Sequence, residues 1–408
     1  LYENHISLGF GKCKIMQNRM ERFKKRFEKV DVVTICQDLI RISSINPPGD
    51  ELNIARYCGD FLRHLGFEVN LIKHSENRAS VLANLRGSGQ APGVMVCGHL
   101  DTVPIGAIPW LHKPLGGDIA DGKIWGRGSS DMKGGVAAFL ASAQVISESG
   151  FSLKGDLWVG LTAGEEVDFL GAIEISKHRE VLPLQVLLIP EPSSNEIFLA
   201  QKGALWLEVG MEGKTAHASM PDLGINTVEM MAQFIYQFKS LDFPYLIHPL
   251  LDGCTTAVTT IKGGEKTNTV PDECFTTIDI RTMPGQNHKE MLDQIVNVLK
   301  NLEENSPGLK TKVKVLNDRA AVLTDLDNPK VIPIQKAASA VLGLEVPIKG
   351  VRFFTDSAVL TPAWEVPMVL CGPGHAELAH QPDEYVEISM LRQAVEIYTL
   401  ALTSYLGK

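Results

Sequence analysis

The chain reads as an α/β protein: a mostly parallel sheet flanked by helices, interrupted by a small inserted α+β domain. Three observations predict this. Short, fully apolar runs alternate with helical stretches over the first half, the pattern of strands buried on both faces of a parallel sheet. After about Gly203 the succession becomes βαββαβ, the ferredoxin-like order. From Val331 the alternating character resumes. Length agrees, because 408 residues exceed the roughly 250–300 at which a single core stops growing.

Residues 1–30 form an extension. From Lys12 to Lys29 it is basic, with Met16, Met20, Phe23 and Phe27 at helical spacing, which predicts a surface or frayed helix. A natural start at Met16 or Met20 is expected, with the preceding residues as a tail. The main domain then opens at 31 and runs to 204. Val32–Ile42 reads as a helix, Asn46-Pro47-Pro48-Gly49 breaks it, and Glu51–Leu65 reads as the next helix. Ser80–Leu85, Val94–Cys97, Leu157–Thr162 and Val186–Ile189 read as buried strands, with Gly134–Ser147 the clearest helix among them.

The inserted domain spans 205–318. Leu205–Met211, Thr255–Ile261, Cys274–Arg281 and Lys310–Val315 read as its strands, Asn226–Phe238 and Lys289–Leu302 as its helices. Residues 319–408 return to the main domain through a helix from Val331 to Leu342, a strand at Pro367–Cys371 and a terminal helix from Ser389. No internal repeat or low-complexity segment interrupts this order.

Composition narrows the function classes. With 44% hydrophobic and 21% charged residues the chain has the make-up of an ordinary globular protein, and its net charge of -9 lacks the basic face that nucleic acid requires. No apolar run reaches the roughly 18–20 residues of a membrane span. The seven cysteines are scattered, with no Cys-x-x-Cys pair, so a reducing, cytoplasmic setting is expected rather than a disulfide framework or a thiol enzyme. Cys97, beside Gly98-His99, is the one cysteine near a chemical motif, and it sits in a buried strand.

In open parallel sheets ligands bind beyond the carboxyl ends of the strands. Those ends carry Gly98-His99-Leu100-Asp101, Ala163-Gly164-Glu165-Glu166, Pro190-Glu191-Pro192 and Gly372-Pro373-Gly374, with His380 a short loop later. Between the first two, Gly126-Arg127-Gly128-Ser129-Ser130-Asp131 leads into a helix. A single strand-end acid reads as a cap or loop residue, but acids and imidazoles at four strand ends and a helix start read as a metal site. Histidine and carboxylate ligands without thiolates suit zinc, with cobalt or manganese as substitutes. More ligands than one catalytic zinc takes favour two metals. His99 and Asp101 lie two apart and share a side of an extended strand, placing Asp101 as the carboxylate partner of a metal-bound His99. Glu165 and Glu166 are adjacent and face apart, so one can bind metal while the other serves as acid/base; spacing does not assign them.

These blocks resemble the acetylornithine deacetylase, succinyl-diaminopimelate desuccinylase and carboxypeptidase G family of co-catalytic zinc metallopeptidases. The resemblance rests on Gly98-His99-Leu100-Asp101-Thr102-Val103-Pro104, on Gly126-Arg127-Gly128 with Asp131-Met132-Lys133-Gly134-Gly135, and on Gly164-Glu165-Glu166, and it runs from about Val33 to the end. It implies a zinc-peptidase-like catalytic domain with an inserted dimerisation or lid domain, hence a homodimer. It implies that His99 and Glu191 hold one metal, Glu166 and His380 the other, and that Asp131 bridges both ahead of a cis peptide to Met132. Glu165 would be the general base acting on a metal-bridging water, and Asp101 the partner of His99. His375 is a rival to His380, but Ala379-His380-Gln381-Pro382-Asp383-Glu384 is the closer match. His64, His112 and His178 have no acidic constellation and read as surface or capping residues.

In the inserted domain, Gly213-Lys214-Thr215-Ala216-His217-Ala218-Ser219 resembles the family segment whose histidine reaches the partner subunit's site and stabilises the oxyanion. Asn268, in Asn268-Thr269-Val270-Pro271, and Arg281, in Ile278-Asp279-Ile280-Arg281, match segments implied to hold substrate. Arginine can pair bidentately with a carboxylate, as an N-acyl amino acid needs. Desuccinylases of the family often carry Gly-Thr-Ser-Asp where this chain has Phe353-Phe354-Thr355-Asp356-Ser357. Glu191-Pro192-Ser193-Ser194 and Lys202-Gly203 fit the deacylase branch better than the tripeptidases. The expected activity is therefore hydrolysis of the amide in an N-acyl amino acid, desuccinylase- or deacetylase-like, with a carboxypeptidase or dipeptidase acting on short peptides as the alternative. A catalytically silent binding homologue would have lost a ligand or the base, and this chain keeps all of them.

Overall fold

The computed structural model describes residues 14–407. It comprises two compact units, one of residues 14–199, 324–349 and 355–407, the other of residues 200–323 and 350–354. The tail expected before Met16, and Cys13 with it, lies all but wholly outside the described residues.

The first unit is built on a sheet ordered Glu68–Lys73, Ala79–Leu85, Leu157–Thr162, Gly93–His99, Leu184–Ile189, Met368–Leu370 and Ile197–Gln201. Its centre is parallel: Gly93–His99 pairs with Leu157–Thr162 on one side and Leu184–Ile189 on the other, and Met368–Leu370 extends the parallel set. Every residue of Gly93–His99 is buried, which explains its unbroken apolar run. The flanks are antiparallel and are where the sequence reading fell short. Glu68–Lys73 is an edge strand with no fully buried residue, so it carries no apolar run to read. The helices Gly134–Glu148 and Ile388–Leu406 pack together and are buried over most of their lengths, consistent with their weak amphipathic character.

The amino-terminal segment corrects one expectation. Lys14–Phe27 is a helix, but it is neither frayed nor a bare surface element. Phe23 is fully buried against Phe151, Met16 is buried, and the helix packs on Ile388–Leu406. Arg26 donates to the Glu148 carbonyl at 2.5 Å. The narrow apolar stripe at 16, 20, 23 and 27 therefore meets a partner more than 350 residues away in sequence, which no local pattern reveals.

A three-stranded sheet joins Asp118–Ala120, Lys123–Trp125 and Tyr385–Glu387. Its strands are three residues long, too short for a periodic signal. This sheet matters for the site, because it sets the residues just before Tyr385 beside those just after Trp125.

The second unit is a four-stranded antiparallel sheet ordered Thr255–Gly263, Glu273–Thr282, Gly203–Glu212 and Lys310–Arg319. Helices Thr227–Phe238 and His288–Asn305 cover one face, each started by an asparagine, Asn226 and Asn287, whose side chain accepts from two backbone N–H groups. Leu207, Val209, Phe234, Ile278, Ile280 and Ile295 form the core between sheet and helices. The unit is slightly longer than the 205–318 read from the pattern. Lys202 N–H donates to the Val351 carbonyl, which attaches residues 350–354 to its first strand. No helix among the described residues is long and apolar enough to cross a membrane.

Candidate metal centre

His99 ends its strand fully enclosed, and Asp131 lies in the irregular turn Ser129–Lys133 that precedes the helix Gly134–Glu148. The Asp131–Met132 peptide is cis. Helix and strand approach very closely here: a Cβ on Gly135 would sit 1.9 Å from the Pro190 carbonyl oxygen, so only glycine lets this helix reach the strand end that carries Glu191.

His99 Nε2 lies 3.0 Å from Asp131 Oδ1 and 3.7 Å from Glu191 Oε1. His380 Nε2 lies 3.0 Å from Glu166 Oε2 and 3.5 Å from Asp131 Oδ2. Two three-residue groups result, His99–Asp131–Glu191 and Asp131–Glu166–His380, each with one ligand atom per residue inside a 4.8 Å span. Asp131 belongs to both, one oxygen turned to each. Five of the residues singled out in the sequence thus converge in the first unit. His375 stays apart: its Nδ1 is 2.9 Å from Ser194 Oγ and its Nε2 faces Glu387. His112 stacks on Trp125, His64 bonds the Asp60 carbonyl and His178 pairs with Glu180.

The electrostatics are those of a site short of positive charge. Burial, reinforced by neighbouring carboxylates, holds Glu165 and Glu191 well above the usual carboxylate range, and raises Glu166 as well. Burial alone would lower the His99 imidazole, yet Asp131, Glu191 and Glu165 together hold it well above its ordinary value. Burial also opposes ionisation of Asp131, but His99 and His380 outweigh it and its carboxyl is lowered. Glu166 Oε1 is buried with no hydrogen-bond partner, a costly state for a carboxylate oxygen unless a cation meets it. The nitrogen and oxygen donor set, the shared Asp131 and that orphaned oxygen all fit divalent metal ions.

Asp101 sits directly behind this centre, fully buried. His99 Nδ1 donates to its backbone carbonyl at 2.9 Å, while the carboxylate is 3.7 Å away. The partnership with His99 therefore runs through the main chain, because the carboxylate is engaged elsewhere. Oδ1 accepts from the N–H of Gly164 and Glu165, at 3.0 and 3.2 Å. Oδ2 accepts from Glu166 N–H at 3.2 Å and from Asn46 Nδ2 at 2.9 Å. The loop that presents Glu165 and Glu166 is folded around this carboxylate.

Glu384 plays the same part for the Asp131 turn, and the sequence reading gave it no role. Its carboxylate is buried and accepts from the N–H groups of Gly128, Ser130 and Asp131 and from Arg127 Nη1. The only trace in sequence is its place four residues after His380. Asp356 is a second omission: buried, bonded to Thr162 Oγ1 and pushed up by burial to about 6.

The remaining sequence candidates lie in the second unit. His217 is exposed on the short strand Ala216–His217, paired with Thr269–Val270, and its Nδ1 is 2.8 Å from Ser219 Oγ. Asn268 is its neighbour, accepting from Ala218 N–H through its backbone carbonyl. Arg281 is held by Asp279 and lies over the rings of Trp206 and Phe354 at 5.7 and 5.3 Å.

A carboxylate-bridged pair of ligand groups at the carboxyl ends of parallel strands suits a metal-dependent hydrolase, and the family the chain belongs to makes it one that acts on amide bonds. Residues 95–404 match the Peptidase family M20/M25/M40, and the chain belongs to that family. A probable succinyl-diaminopimelate desuccinylase from Staphylococcus epidermidis is 26% identical over 93% of this chain and 98% of its own length. A similarly described protein from Staphylococcus aureus is 25% identical over 93% and 98%. Among solved structures, an M20 family metallo-carboxypeptidase from Sulfolobus solfataricus superposes with a TM-score of 0.78 at 18% identity, over 92% of this chain and 99% of that one. Human carnosine dipeptidase 1 superposes with a TM-score of 0.72 at 16% identity, over 95% and 98%. At these identities the structures speak for the fold alone.

Proposed function

We propose that this protein removes an acyl group from an N-acylated amino acid, as a desuccinylase- or deacetylase-type deacylase, using two divalent metals, zinc being the first choice. The observation that carries the proposal is Asp131 presenting one oxygen to each of two ligand groups. His99 and Glu191 would complete one metal site, Glu166 and His380 the other. Bound there, the metals would supply an activated water at neutral pH and polarise the amide carbonyl. Glu165 is the group that moves the proton: it takes one from the attacking water and gives it to the departing amine. Its buried setting among other carboxylates raises its affinity for that proton, as the task requires.

The choice of an acylated amino acid rests on the relatives described as probable desuccinylases, which match over nearly their full length. Arg281 is assigned to the substrate carboxylate, which would compete with Asp279 for the guanidinium, and Asn268 to the same substrate. His217 is assigned to oxyanion stabilisation in the partner subunit of a homodimer, for which its exposed position is suited.

The test is a panel of N-succinyl and N-acetyl amino acids and dipeptides, assayed after chelation and again with zinc or cobalt restored. Metal-restored cleavage of an N-acyl amino acid is expected. Hydrolysis that ignores the chelator overturns the metal assignment, and cleavage confined to the peptides makes the protein a carboxypeptidase or dipeptidase instead.

A further inference from the structure

We propose that Glu384 and Arg127 form a positioning brace that sets the metal affinity of the His380 site; this rests on the two-metal reading above. His380 sits in an unusual turn. Its φ is +66° and that of Asp383 is +54°, left-handed values that non-glycine residues adopt only where surroundings impose them. Three sets of contacts impose them here. Asp383 Oδ1 accepts from the N–H of Leu111 at 2.8 Å and of His112 at 3.1 Å. Arg127 donates through Nη2 to the His380 carbonyl at 3.3 Å and through Nη1 to the Gln381 carbonyl at 3.0 Å. Glu384 accepts 2.8 Å from Arg127 and then turns both oxygens on the Asp131 turn, with N–H donors at 3.0, 2.8 and 3.0 Å.

One buried ion pair thus touches the backbone of two ligand-bearing segments, Ser129–Lys133 and the His380 turn, which are about 250 residues apart in sequence. Asp131 and His380 are the two ligands these segments carry, and only the second group, Asp131–Glu166–His380, contains both. The first group takes His99 and Glu191 from sheet strand ends that the brace does not touch. Loosening the brace lets His380 relax from its left-handed turn and misaligns one site more than the other. The pair itself is buried. Its effect runs through the placement of other residues, as groups behind metal ligands do.

The experiment is calorimetric titration of the chelator-treated full chain with zinc, for the wild type, Glu384→Gln and Arg127→Lys. The amide keeps one acceptor oxygen but loses the charge, and lysine keeps the charge but cannot fork between Glu384 and two carbonyls. Wild type should bind two zinc ions. Each variant should bind one zinc ion about 10–100-fold more weakly and the other with a clearly smaller loss, since Asp131 serves both sites. Excess zinc should then restore kcat with KM unchanged, which a merely misfolded protein would not show. Two unaltered affinities, or equal weakening of both, overturn the proposal. If Glu384→Gln does not fold, Arg127→Lys decides on the same criteria; if neither folds, the pair is a folding element and the proposal fails. A wild type that binds no zinc rejects the metal reading itself, a distinguishable result.

Discussion

Replacing Asp101 by asparagine should separate two explanations of why that residue matters. If its carboxylate serves His99, the variant loses metal with little change in stability. The geometry favours the other explanation. Each carboxylate oxygen takes two donors: Gly164 and Glu165 N–H on one, Glu166 N–H and Asn46 Nδ2 on the other. An amide substitutes an NH2 for one oxygen, so two buried donors lose their acceptor and face a donor instead. At about 1–3 kcal/mol for each orphaned group, the loss is roughly 2–6 kcal/mol. Against a typical domain stability of about 5–15 kcal/mol this is large. Denaturant unfolding of wild type and Asp101→Asn, both stripped of metal by chelator so that zinc linkage does not enter, measures it. Turnover should fall in parallel, because Glu165 and Glu166 ride on the same loop. A stability loss under about 1 kcal/mol with a clear loss of metal would refute this and return the carboxylate to His99.

Three further outcomes are expected. Glu165→Ala should retain full metal content and lose about 10²–10⁴-fold in kcat, measured by steady-state assay beside elemental analysis; near-normal turnover rejects its role in proton transfer. The metal-free protein should lose stability as pH rises above the ordinary carboxylate range: Glu165, Glu166 and Glu191 have raised folded values, so the folded state holds protons the unfolded chain has released. The raised His99 acts in the same direction, and zinc, which competes with those protons, should widen the melting-temperature gap between loaded and stripped protein as pH rises; a gap that stays constant between about pH 5 and 8 would contradict it. Phe23→Ala should cost about 3–5 kcal/mol and speed amide exchange along Lys14–Phe27, whereas an unchanged exchange pattern would mean the helix holds without its buried ring.

The fold was legible where elements are long or enclosed. Leu157–Thr162 and Gly134–Glu148 announce themselves because burial over most of their lengths leaves mainly apolar residues. The second unit was equally plain: its strands alternate, its helices begin at asparagine caps, and its connections are local. Glu68–Lys73 and the three-residue strands at 118–120, 123–125 and 385–387 escaped for opposite physical reasons, one being an exposed edge and the others too short to show a period. The helix at Lys14–Phe27 was visible, but its docking was not, since Phe23 meets Phe151 only after the chain has closed.

The same division runs through the centre. His99, Asp131, Glu166, Glu191 and His380, which the structure brings together, could be found because chemistry demands particular residue types at strand ends and at the helix start between them, and those places can be read. What the carboxylates behind them do could not be read, Asp101 being singled out only as a partner of His99 and Glu384 not at all, because an acceptor for backbone N–H groups leaves no mark on the residues it serves: Gly164, Glu165 and Glu166 offer Asp101 their main chain, and Gly128, Ser130 and Asp131 do the same for Glu384. These two arrangements are alike in logic. Each ligand-bearing turn leaves successive N–H groups pointing inward, which neither helix nor sheet satisfies, and each is closed by one buried carboxylate that accepts three of them. Burying such a charge is costly unless its acceptors are filled, and filling them fixes the turn. The acids that hold the metal-binding loops in shape thereby add to the negative charge around the centre, which makes bound cations part of what stabilises the folded site.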